Sequence, residues 1–88
     1  MIKHSAIKFY ILGDDRPIII TGKRHADILE RMFDYGFQYD RSTAVQGFLN
    51  DKNQFLDRRD AKFEARACHQ LIEDTDYGEL FSEDIWPE

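Results

Sequence analysis

Two short runs, Gly22-Lys23-Arg24-His25 and Asp57-Arg58-Arg59, place adjacent basic side chains where an apolar stretch gives way to helical spacing. The first turn of a helix leaves backbone N–H groups unpartnered and carries the positive end of the dipole, so it receives anions readily. Acidic side chains are the stabilising choice in such a turn, and Lys23, Arg24 and His25 instead suit a bound anion. If both helix starts face one cleft, Gly22, Lys23, Arg24, His25, Arg58 and Arg59 offer free N–H groups and guanidinium forks to more than one phosphate. Gly22 adds room for a ligand to approach the backbone. The competing reading is of ordinary solvated first-turn residues, since basic side chains are common on any surface. A Walker P-loop has a longer glycine loop ending in Lys and Ser or Thr, so nucleotide hydrolysis is not indicated.

Other chemistry finds less support. His4, His25 and His69 are scattered, and none shares a metal-ligand spacing with another His or with Cys68. Cys68 is the only cysteine, which rules out a disulfide within the chain and a thiolate cluster. It falls on the apolar stripe of a helix, where an inert buried thiol is expected. No Ser-His-Asp or Cys-His pairing is visible, so no catalytic residue, metal or cofactor is expected. Phe37, Tyr39 and Phe48 flank the middle of the chain, where they could stack on a nucleobase or simply fill the core; Arg41 beside them is a further phosphate or ribose candidate.

Eighty-eight residues suit one domain with a small core. The formal charge of −5 is unevenly spread. Glu73, Asp74, Asp76, Glu79, Glu83, Asp84 and Glu88 lie in residues 73–88, which hold no Lys or Arg, and the other 10 acidic residues share residues 1–72 with all 12 basic ones. A slightly basic body with an acidic tail disfavours duplex nucleic acid, which needs a broad basic face, but accommodates a small anion. No apolar run approaches the roughly 18 residues of a membrane span, nor resembles a signal peptide. A soluble, cytoplasmic protein is the expectation.

The elements that must position these residues read as follows. Alternation from Ile2 to Leu12, turn residues Gly13 to Pro17 and the run Ile18-Ile19-Ile20 predict a β-hairpin. Ile28, Leu29, Met32 and Phe33 recur at helical intervals, so a first helix covers about Lys23 to Tyr35, with Gly36 as its C-cap. Phe37 to Thr43 reads as a connection. Ala44 to Leu49 and Gln54 to Leu56 flank the turn Asn50-Asp51-Lys52-Asn53 as a second hairpin, and Gly47 marks a bulge or a close backbone approach. Asp57 is the N-cap of a second helix, about Arg58 to Ile72. Leu80, Phe81, Ile85 and Trp86 are too apolar for a free acidic tail, so a segment docked on its own domain or a neighbouring subunit, pinned by Phe81 and Trp86, is expected. The fold class is therefore α+β: a small antiparallel sheet from two β-hairpins, two helices packed on it, and a docked C-terminal segment.

Taken in order, Ala6-Ile7-Lys8-Phe9, Thr21 to Ile28, Gln46-Gly47-Phe48-Leu49, Phe55-Leu56-Asp57-Arg58 and Leu80 to Trp86 resemble a pattern of small phage proteins. Those proteins run AIKF, GxRHxDI, QGFxTDxGxFxDRxEA and LxSEDLW. The layout is similar to that of the Thoeris anti-defence sponge proteins, phage products that sequester signalling nucleotides without cleaving them. The resemblance covers most of the chain and implies a hexameric or other homo-oligomer that traps cyclic ADP-ribose isomers or cyclic oligonucleotides between subunits. Arg24, His25, Arg58 and Arg59 are the positions that correspond on physical grounds. Two departures stand out: Asn50-Asp51-Lys52-Asn53 lacks the hairpin glycine, and Leu71-Ile72 replaces the usual Gly-Gln after the second helix.

The expected function is thus a non-enzymatic phage anti-defence protein that binds a phosphorylated nucleotide signal in the cytoplasm of an infected host. The alternative is a small acidic interaction protein, whose tail occupies a basic groove on a host defence enzyme such as a nuclease or CRISPR effector.

Overall fold

Strand β1 (Ile2–Tyr10) is the one against which two other strands pair and both helices pack. In the computed structural model, which describes residues 1–34, 39, 41–74 and 78–86, β1 lies between β2 (Pro17–Gly22) and β3 (Val45–Asn50). The short β4 (Phe55–Asp57) completes the order β2-β1-β3-β4, with every pairing antiparallel. Both expected hairpins are present, joined through the β1–β3 seam. Helix α1 (His25–Asp34) and helix α2 (Arg58–Ala67) add the two-helix layer of an α+β fold.

Alternation along the strands decides which face the helices cover. Ser5 stands opposite Gly22 and Phe48, Ile7 opposite Ile20, and Phe9 opposite Ile18, so these side chains share one face. Ile2 would fall on the other face. One extra residue between the Ile2–Asn50 and His4–Leu49 pairs, a bulge at Lys3, brings Ile2 back beside Phe48. Two core clusters result. Ile7, Phe9, Ile28 and Met32 pack under α1, while Ile2, Phe48, Ala61, Ala65, Leu80 and Ile85 pack under α2.

Several boundaries differ from the sequence expectation for local reasons. Helix α1 begins at His25 because the Arg24 carbonyl already accepts from the Ile28 amide. Its expected C-cap, Gly36, lies outside the described residues, as does Phe37. Helix α2 ends at Ala67, well before Ile72. There His69 adopts φ of 56°, its amide donates to Arg66 O, and the Gln70 amide donates to Ala65 O at 2.8 Å, a Schellman motif with histidine where glycine is usual. The turn frees Gln70 to bond both the amide and the carbonyl of Ile2. In the second hairpin, Asn53 takes the positive-φ position that a glycine would fill, at 59°. Asn50 secures that turn by accepting from the Lys52 and Gln54 amides.

The C-terminal segment packs on the chain's own core, but Phe81 is not one of its pins. Leu80 and Ile85 are the buried anchors, Trp86 is partly buried 6.2 Å from the Phe48 ring, and Phe81 is 42% exposed. Phe48 and Tyr39, considered for base stacking, belong to the core instead: Phe48 is fully buried and Tyr39 packs on Phe9 at 5.2 Å. No helix among the described residues is long and apolar enough to cross a membrane.

Two substitutions test this framework. A Cβ at Gly47 would collide with the Leu56 carbonyl oxygen and lie 2.7 Å from the Phe55 ring, so Gly47→Ala should cost about 2–3 kcal/mol in urea unfolding. His69→Gly relieves the left-handed cap and should stabilise by about 0.5–1 kcal/mol in the same measurement.

Candidate functional site

The chain turns from β2 into α1 over the middle of the sheet, and close packing makes the turn tight. A Cβ on Gly22 would sit 2.9 Å from Ile28 Cγ1 and 2.6 Å from Arg31 Nη2, so the missing side chain lets the helix close on the strand end. Arg31 donates to the Thr21 carbonyl, and Ser5 Oγ donates to the Lys23 carbonyl at 3.1 Å. Residues 24 and 25 are thereby carried over β3.

His25 is buried there, its ring edge-on to Phe48 with centroids 5.1 Å apart. Nε2 donates to the Gly47 carbonyl at 2.7 Å, and Nδ1 accepts from Arg58 Nη2 at 3.5 Å. That pattern needs a neutral ring protonated at Nε2. Burial is the main cause that lowers the His25 pKa below 6.5, and the charge of Arg58 adds to it against the Gly47 carbonyl.

Arg58 opens α2 and faces the same point. Its Nη1 donates to the Leu80 carbonyl at 2.8 Å and its Nη2 to Gln46 Oε1 at 2.7 Å, while the Phe81 ring lies 4.7 Å from Cζ. Burial lowers its pKa, and the nearby charges of Glu79, Glu83 and Asp84 raise it. Asp57 caps the helix by accepting from the Asp60 amide at 2.8 Å. Arg24 completes the group. Its Nη2 donates to the Trp86 carbonyl at 2.9 Å, and its Nη1 is buried without a hydrogen-bond partner.

The six residues singled out in the sequence therefore divide. Arg24, His25 and Arg58 meet in a cleft of about 260 Å³, lined also by Ala26, Phe81, Ser82 and Glu83. Gly22 and Lys23 line a separate hollow beside Trp86, and exposed Arg59 lines another with Gly78, Glu79 and Phe81. The cleft gathers two guanidinium groups and two helix starts, an arrangement suited to holding an anion. Glu83 on its rim opposes one. No group of His, Cys, Asp or Glu among the described residues could hold a metal ion.

Four contributors escaped the sequence reading. Gln46 and Glu83 lie within recognisable motifs and could have been read as polar neighbours of a basic site. The carbonyls of Leu80 and Trp86 leave no mark in a sequence.

The histidine makes the fold sensitive to acid. Between 6.5 and its lowered native value the unfolded chain binds the proton and the folded chain does not, so stability falls as pH drops below 6.5. Denaturant midpoints on either side of that pH should show the loss, and His25→Gln should flatten it.

Comparison with curated proteins and with solved structures gives no match. A model of the family described as phage T4 y16D protein does match, over residues 1–86, and on that extent the chain belongs to this phage family.

Proposed function

We propose that the protein binds a small phosphorylated ligand in the cleft between its two helix starts and sequesters it without cleaving it, the ligand being a nucleotide immune signal such as a cyclic ADP-ribose isomer. The observation that carries this reading is the buried Arg24 Nη1, a charged donor with no partner, beside Arg58 in a cleft where both helix N-termini meet. A buried guanidinium donor left unsatisfied is costly, and a phosphate oxygen that reached it by a small shift of the cleft wall would satisfy it. Binding without chemistry is supported by His25, whose two ring nitrogens are both engaged within the protein and so do not serve as a base there.

Assembly would enclose a cleft that is open in one chain. Exposed Leu29, Phe33, Phe63 and Ile72 favour burial against a second copy. The rival reading, an acidic decoy, is less well supported, because Leu80 and Ile85 tie the acidic segment into the core.

Isothermal titration with cyclic ADP-ribose isomers and cyclic di- and trinucleotides tests the proposal, and native mass tests assembly. Heat should appear with at least one ligand; none with any of them rejects sequestration. Glu83→Gln removes a like charge from the rim and should tighten binding about fivefold.

A further inference from the structure

Across the Gly22–His25 turn from the cleft lies a larger hollow of about 480 Å³, walled by Lys3, His4, Gly22, Lys23 and Trp86. Three separate pieces of chain bring these residues together, and each is held in place. The bulge that returns Ile2 to the core leaves Lys3 exposed at the start of β1. Ser5 fixes the backbone of Lys23. Trp86 is tied through its carbonyl to Arg24, through its amide to Ser82 O at 3.0 Å, and through its ring to Phe48.

The charge of this hollow runs against the composition. The cleft carries Glu83, and the hollows beside Arg59 carry Glu79. Here, in a chain of net charge −5, two lysines and a histidine share the lining with Trp86, and no carboxylate is among the described lining residues. The volume is that of a small-molecule site. An indole offers a flat apolar face to a planar ring, while lysines are mobile point charges that meet a phosphate from several directions.

We infer that this hollow is a second binding site, for a planar aromatic anion such as a purine nucleoside monophosphate. The ring lies against Trp86, and the phosphate is met by Lys3 and Lys23. Neither the Arg24 guanidinium nor Arg58 takes part, so the site stands or falls apart from the cleft.

Trp86 is the only tryptophan, and its fluorescence reports the site directly. The intact protein is titrated with AMP under excitation beyond the adenine band. A saturable change should follow, and adenosine or inorganic phosphate alone should require higher concentrations. Lys3→Gln combined with Lys23→Gln should weaken AMP about tenfold without moving the thermal midpoint. Ala26→Glu, which puts a carboxylate into the cleft in a first turn that favours acids, should block anions there and leave the AMP response intact. No response to AMP, equal affinity in the double lysine variant, or a response lost in Ala26→Glu would each overturn the second site; the last would put the nucleotide in the cleft.

Discussion

The contact between Arg58 and His25 is the point on which the architecture closes. One guanidinium touches the start of α1 through the imidazole, β3 through Gln46, and the C-terminal segment through the Leu80 carbonyl and the Phe81 ring. The imidazole continues the chain of contacts to Gly47 and Phe48. The two helices cover different core clusters and have few other reasons to hold a fixed relation at their N-termini. Because a neutral ring is required for the contact, a single proton bears on sheet, helices and tail together.

The same geometry explains why the basic helix starts are tolerated. Positive side chains at the positive end of a dipole are unfavourable unless something negative is near. In this chain the carbonyls of Leu80 and Trp86 and the charges of Glu79, Glu83 and Asp84 supply it. The acidic segment does not satisfy every donor it covers, and Arg24 Nη1 is the one left without a partner.

Much of this was legible in the residues. Gly22 and Asp57 mark both helix starts within three residues, and alternation in β1 and the turn residues around Gly13 and Asn53 give the hairpins. Convergence of the starts is not visible in the residues, since strand order is a matter of long-range pairing rather than of local pattern. The split between Lys23 and Arg24 was hidden for a related reason: adjacent residues at a strand-to-helix turn diverge once their backbone is fixed by Ser5 and Ile28. The premature end of α2 could not be read either, because the left-handed residue is His69 and the cause is the distant Ile2 backbone. The apolar character of the tail points to Phe81 as a pin, whereas stacking on Arg58 keeps that ring at the surface.

The two margins of the sheet are unequal. β4 is three residues long and runs straight into α2, so it offers little backbone to another strand. β2 is six residues long, carries no charge, and has no strand on its outer side among the described residues. Pro17 removes a donor at its start and Arg31 occupies the Thr21 carbonyl near its end, which leaves Ile18 to Ile20 as the part without a guard. Growth of the sheet between molecules, whether as orderly dimerisation or as aggregation, accordingly has one direction open to it, and that direction begins at the isoleucines.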